Sequence, residues 1–132
     1  MENSKDTTTN GRNIELSNEE NRIQATMVQW FNNTYCLKHH SPRYMIFSIP
    51  NGGTRNKIEA MTLKATGLLA GASDLVLVMD KIYFVEVKTT VGIQSDVQKD
   101  FQNRVQKLGH EYKLIRSLDE FKLWIQSLTT NN

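Results

Sequence analysis

Apolar residues recur along this chain of 132 residues in two rhythms. Ile23, Met27, Trp30 and Phe31 fall on one side of a helix. The "SNEE" before them has the form of a capping box, Ser17 with Glu20 three residues on, and predicts a helix start at Ser17. Residues 1–16 are polar, rich in Thr, Asn and Glu, and read as a flexible tail ahead of a single domain at 17–129. Pro42 in "CLKHHSPR" closes the first helix. "YMIFSI" (44–49) reads as a strand and "PNGG" (50–53) as a turn. "RNKIEAMTLKAT" (55–66) reads as a helix stopped by Gly67. "DLVLVM" (74–79) is apolar at nearly every position, the pattern of a central strand covered on both faces. "IYFVEVK" (82–88) is a second strand. Ser95 with Gln98 forms another capping box, followed by the stripe Val97, Phe101, Val105 and Leu108 and a stop at Gly109. "EYKLI" (111–115) is a short strand. A third box, Ser117 with Glu120, opens a helix whose stripe is Leu118, Phe121, Ile125 and Leu128. The order α-β-α-β-β-α-β-α predicts an α/β fold with a mixed central sheet flanked by helices.

Composition changes this picture little. At 39% hydrophobic and 23% charged, the chain suits one globular domain. Cys36 is its one cysteine, so no internal disulfide can form. The first sixteen residues hold no apolar core and no run approaches the ~20 residues of a membrane span. A cytosolic protein with no membrane partner is the expectation. Net charge is +2 but uneven: residues 1–20 carry −3 and the remainder +5. A mildly basic body permits a nucleic-acid partner and equally suits a solvated mixed-charge surface.

The chemistry lies in "GASDLVLVMDKIYFVEVKTT". Along the second strand Ile82, Phe84, Glu86 and Lys88 share one face, and Tyr83, Val85 and Val87 the other. Asp74 opens the neighbouring strand, at the same end of the sheet as Glu86 and Lys88. A two-residue turn at Asp80–Lys81 would set Asp74 opposite Val87, on the wrong face. A three-residue loop, or a break in pairing near Asp74, brings it to the face of Glu86, and this is the expected arrangement. Burying such charges is costly unless something pairs with them. Gathered oxygen ligands suit Mg²⁺, and a lysine beside them can orient or deprotonate water or stabilise developing negative charge. The plainer alternative is a structural aspartate at a strand start and a Glu–Lys pair on an exposed sheet face.

From about Glu20 to Trp124 the chain resembles the virus-type replication-repair nuclease (VRR-NUC) family, a branch of the PD-(D/E)xK nuclease superfamily. "ENRIQ", "IPNGG", "TGLLAGASDLVLV", "YFVEVKT", "SDVQKDFQNRVQKLGHEY" and "IRSLDEF" carry the likeness through their order and spacing. Ser73 stands where the family usually has proline. The resemblance implies a restriction-endonuclease-like fold and Mg²⁺-dependent hydrolysis of DNA, with Mn²⁺ as a substitute. It makes Asp74, Glu86 and the backbone carbonyl of Val87 metal ligands, with Lys88 the catalytic lysine. Glu20 would reach in from the first helix, through water to the metal, and Gln98 would approach from the following helix to position water or phosphate. Both residues also have a capping role open to them. Glu20 lies on the stripe of Ile23, Met27, Trp30 and Phe31, at the end of the core-facing side. Stand-alone members act as homodimers on branched DNA such as Holliday junctions or flaps, so DNA and a second copy are the expected partners. A non-catalytic nucleic-acid-binding module with a nuclease fold, or a nuclease acting on RNA, is the alternative.

"IPNGGTRNK" is the other candidate contact. Asn51, Gly52 and Gly53 expose backbone N–H groups, and Arg55 and Lys57 follow at a helix start, which suits phosphate. A plain turn with solvated charges is the competing explanation. His39, His40 and His110 lack zinc spacing, and "GLLAGAS" has no strand in the place a dinucleotide fingerprint requires.

Overall fold

Among the described residues the strand and helix rhythms resolve into eight elements in the order expected. They are α1 (Ser4–Tyr35), β1 (Met45–Ser48), α2 (Lys57–Ala65), β2 (Leu75–Val78), β3 (Ile82–Val87), α3 (Asp96–Lys107), β4 (Glu111–Ile115) and α4 (Leu118–Thr129). The computed structural model describes residues 4–50 and 56–130. The strands form one mixed sheet in the order β1-β2-β3-β4. β1 and β3 run antiparallel to β2, whereas β4 runs parallel to β3. That parallel pair needs a crossover, which α3 provides.

Alternation along the strands sorts the side chains into two unlike faces. Leu75, Leu77, Tyr83, Val85, Val87 and Ile115 form one buried core with Met27 and Phe31 of α1 and with Phe121 and Ile125 of α4. Aromatic rings bind the layers: Phe31 lies 6.1 Å from Phe121, and Trp124 meets Tyr83 edge-on at 5.5 Å. On the opposite face Phe84 meets Phe101 of α3 edge-on at 5.7 Å, and Phe101 meets Tyr112 at 6.2 Å. Glu86 shares that face.

Four sequence expectations change. α1 starts at Ser4, not Ser17, and residues 4–16 are helical. A capping box ends a helix only where the upstream chain leaves the helical path; here upstream carbonyls receive the N–H groups that a cap would otherwise serve. α2 is capped by Asn56, whose side chain accepts from the Glu59 N–H at 2.8 Å, so the helix begins at Lys57 instead of at Arg55. Of the α3 stripe, only Val105 is buried; Val97 is 50% and Leu108 74% exposed. At α4, Ser117 accepts from the Glu120 N–H, but Glu120 Oε1 reaches back to the Arg116 N–H, one residue beyond the expected partner. The Ser95–Gln98 box forms in full. No helix among the described residues is long and apolar enough to cross a membrane.

α2 contributes no buried residue, and its Ile58 is 76% exposed. This contrast with α4 is measurable. Phe121→Ala should destabilise the protein by about 3–5 kcal/mol, since it empties a fully buried ring site. Ile58→Ala should change stability by less than about 0.5 kcal/mol. Urea unfolding of the two variants checks the assignment of core and surface.

Candidate active site

The β2–β3 hairpin sets the site. Leu75 pairs with Val85 and Val78 with Ile82, which leaves Met79, Asp80 and Lys81 as a three-residue connection. Continued by one step, this register sets Asp74 opposite Glu86, the arrangement that the three-residue loop required. The side chain of Asp74 then takes over from the backbone ladder: its Oδ2 accepts the Val87 N–H at 2.7 Å. The Asp74 carbonyl meanwhile accepts from Ile49 N–H at 2.9 Å, which ties this residue to the edge of β1. Ser73, in place of the family's usual proline, is fully buried, and its hydroxyl donates to the Leu75 carbonyl at 3.2 Å. The turn into β2 is thus shaped by a hydrogen bond where a proline ring would shape it by rigidity.

Glu86 is 1% exposed. Its Oε2 accepts from Gln98 Nε2 at 3.0 Å and faces Lys88 Nζ at 3.7 Å. Its Oε1 is buried without a hydrogen-bond partner among the described residues. Burial, then the charge of Asp74, raise the Glu86 pKa from 4.5 to about 8 against the opposing pull of Lys88. The neighbouring Asp74 side chain adds to the rise beyond its charge. Two carboxylates side by side in a desolvated place repel each other, and only a proton or a cation relieves them.

The two residues with capping alternatives now separate. Gln98 does both jobs: its Oε1 accepts from the Ser95 N–H at 2.9 Å while its Nε2 holds Glu86. Glu20 lies inside α1, so no helix start depends on it. It is half-buried, and burial raises its pKa while Lys88 lowers it and Asp74 raises it, which puts all three within electrostatic reach. Glu20, Asp74 and Gln98 line one open cavity of about 470 Å³, together with Asn21, Gln24 and Gly71. Lys88 is nearly buried beside Glu86. Val87 contributes its N–H to Asp74. Thus Glu20, Asp74, Glu86, Lys88 and Gln98 gather from α1, the hairpin and α3. Lys57 is exposed on the first turn of α2, away from the cavity lining, and Asn51, Gly52, Gly53 and Arg55 lie outside the described residues.

Sequence reasoning missed several neighbours. Tyr112 sits beside Phe84 in the parallel register, and its hydroxyl accepts from Gln94 Nε2 at 3.1 Å. Burial first, then the charge of Glu86, push its pKa up. Only the β3–β4 register, which alternation within "EYKLI" does not fix, could have placed it. Gln24, one helical turn beyond Glu20, was legible from i,i+4 spacing. Gly71 was not: a Cβ there would stand 2.3 Å from the Val97 carbonyl oxygen, so the backbone before Asp74 rests directly on the first turn of α3.

The donors suit a hard cation: two carboxylates, one with an orphaned buried oxygen. Among the described residues no three His, Cys, Asp or Glu side chains form a cluster able to hold a metal ion. The expected set draws on two direct side-chain ligands, Asp74 and Glu86, and the Val87 carbonyl, with Glu20 reaching the metal only through water.

The family model of the VRR-NUC domain matches residues 11–119. A solved structure described as a VRR_NUC domain protein superposes with a TM-score of 0.64 at 20% identity, covering 83% of this chain and 86% of the other. That likeness is one of fold. The comparison with curated proteins finds no match.

The raised Glu86 pKa has a testable sign. The folded state holds this proton more tightly than the unfolded state. Its contribution to stability is full below the ordinary value of 4.5 and is lost as pH rises through about 8. In EDTA, the wild-type thermal midpoint should therefore fall relative to that of Glu86→Gln between about pH 5 and about pH 9. A gap that stays constant across this range would show that Glu86 is not held protonated.

Proposed function

The chain belongs to the VRR-NUC domain family, a family of nucleases, and on that premise we propose that it is a Mg²⁺-dependent endonuclease acting on DNA phosphodiesters. Branched DNA, such as a flap or four-way junction, is the proposed substrate, and a homodimer the working unit. Symmetric cutting of two strands needs two sites related by a two-fold axis, which a dimer supplies. The observation that carries the reading is Glu86: a buried carboxylate with an unpartnered oxygen, set against Asp74, with Lys88 Nζ 3.7 Å away. A structural sheet residue gains nothing from that placement.

Asp74, Glu86 and the Val87 carbonyl would hold the metal, with Glu20 joining through water. When bound there, Mg²⁺ supplies Lewis acidity toward the scissile phosphate. The chain's own residues do the rest. Val87 N–H fixes one Asp74 oxygen and leaves the other for the metal. Gln98 orients Glu86 and keeps its Oε2 from rotating away. Lys88, shielded from bulk water, presents its ammonium where negative charge develops on the phosphate, or, as the neutral amine, takes the proton of the attacking water. The cavity between α1 and α3 admits the strand. The N–H groups of Asn51, Gly52 and Gly53 with Arg55 and Lys57 are proposed to hold phosphates.

Linear duplex, flap, splayed-arm and four-way junction DNA, incubated with Mg²⁺, Mn²⁺ or EDTA, test the reading directly. Cleavage should need the metal and favour a branched form. Asp74→Ala and Glu86→Ala should abolish it while DNA binding is kept. Lys88→Ala should lower the single-turnover rate on the order of 10²–10³-fold. Lys88→Arg distinguishes its two roles, since a guanidinium keeps the charge but is a poor base. Binding without cleavage of any substrate would leave the non-catalytic module, and cleavage of RNA in preference to DNA would reassign the substrate.

The basic segment has its own test. Arg55→Ala with Lys57→Ala should weaken binding to all DNA sequences alike. The log–log salt slope should become shallower by about 0.9 for each phosphate the protein no longer neutralises. The single-turnover rate at saturating DNA should stay near wild type. An unchanged slope, titrated in Ca²⁺ to block turnover, would make this segment only a turn.

A further inference from the structure

Lys88 is the last residue before a turn, and its side chain has four carbons of rotational freedom. Something must hold it. Its own N–H donates to the Ile115 carbonyl at 3.0 Å. The next residue along from Ile115 is Arg116, at the junction of β4 and α4. Arg116 Nη1 donates to two carbonyls at once, Thr89 at 2.6 Å and Gly92 at 2.8 Å. Those carbonyls bracket the turn after Lys88, which the Gly92 N–H closes onto the Thr89 carbonyl at 3.2 Å. The turn packs on the lysine stem: a Cβ built on Gly92 would stand 3.4 Å from Lys88 Cδ and 3.2 Å from Thr89 Oγ1. Thr89 is itself 3% exposed.

We propose that Arg116 is a positioning residue for Lys88, clamping the Thr89–Gly92 turn so that the turn holds the lysine stem against Glu86. The kinetic part of this inference rests on the nuclease reading above. Hydrogen bonds from a cationic donor are about twice as strong as neutral ones. One guanidinium nitrogen shared between two carbonyls fixes the spacing of the turn. Arg116 touches neither carboxylate. It acts through the backbone, and the lysine carries the effect to the phosphate. A lysine at position 116 would bring the charge but not the planar, preorganised donor.

Two measurements test the clamp, one independent of turnover. In the wild-type protein Lys88 is 8% exposed and should resist an amine-reactive label, read by mass spectrometry. Arg116→Ala should raise its labelling severalfold, and Arg116→Lys should give an intermediate value. On the kinetic side, Arg116→Ala should lower the single-turnover rate by about 10–100-fold, the range of residues that orient a catalytic group through another. In a Lys88→Ala background the same substitution should change the rate little, because both act through one group. DNA affinity in EDTA should be unchanged. If Arg116→Ala does not fold, Gly92→Ala replaces it: the new methyl would stand 3.2 Å from Thr89 Oγ1, tighter than an ordinary contact, so the turn that holds the lysine must shift with Arg116 intact, and the variant should likewise raise labelling and lower the rate. Unchanged labelling of Lys88 overturns the proposal, as does a rate loss that multiplies with that of Lys88→Ala. Wild-type protein that cleaves nothing sinks the nuclease reading instead, and the labelling result then decides the clamp alone.

Discussion

The hydrogen bond from the Val87 N–H to Asp74 Oδ2, at 2.7 Å, is the contact on which the site depends. It lies where the β2–β3 ladder runs out. Beyond Leu75 and Val85 the strands lose regular pairing, and a backbone N–H at a buried position would stand unsatisfied. The aspartate fills that place with a charged acceptor. The carboxylate is thereby held at the sheet end, opposite Glu86, at a fixed height above the aromatic core. Without this bond Asp74 would be a residue at a strand start with solvent to turn into.

Everything around that contact serves two purposes. The core face of the sheet, filled by Met27, Phe31, Phe121 and Ile125, keeps β2 and β3 rigid and dry. The other face, under α3, keeps Glu86 out of water while offering it one amide and one ammonium. Gln98 commits one end of its side chain to the α3 cap and the other to Glu86, so the helix cannot shift without moving the carboxylate. Gly71 brings the other strand's approach into backbone contact with the same helix turn. The result is a preorganised but electrostatically unsatisfied place, which a bare fold would not retain for stability's sake.

How far the sequence exposed this depends on the range of each interaction. Strand β4, the Ser95 box and the core faces of α1 and α4 were legible because capping and periodicity are local. The register of the hairpin was narrowed by chemistry: only a three-residue connection or a break in pairing near Asp74 let that residue share the face of Glu86, and the structure has the three-residue connection. The start of α1 was misjudged because "SNEE" carries the same letters inside a helix as at its end, and the upstream backbone decides between them. Tyr112 and Arg116 were illegible because each meets its partner across a crossover, where register is set by packing and not by neighbours in the chain. Val97 and Leu108 followed helical spacing correctly, yet a periodic stripe does not say which of its positions the rest of the chain covers.

The connection Met79–Lys81 separates what the hairpin can vary from what it must keep. Asp80 and Lys81 face solvent, Met79 packs in part against the core, and none of the three carries the chemistry. What must be kept is the pairing. A slip of one residue would invert the parity of β3 and send Glu86 and Lys88 to Tyr83's side of the sheet, with Val85 and Val87 facing α3. A slip of two would restore the faces but slide the glutamate a full pair away from the aspartate. At this hairpin the meeting of the two carboxylates is written in the register and not in the letters of the turn.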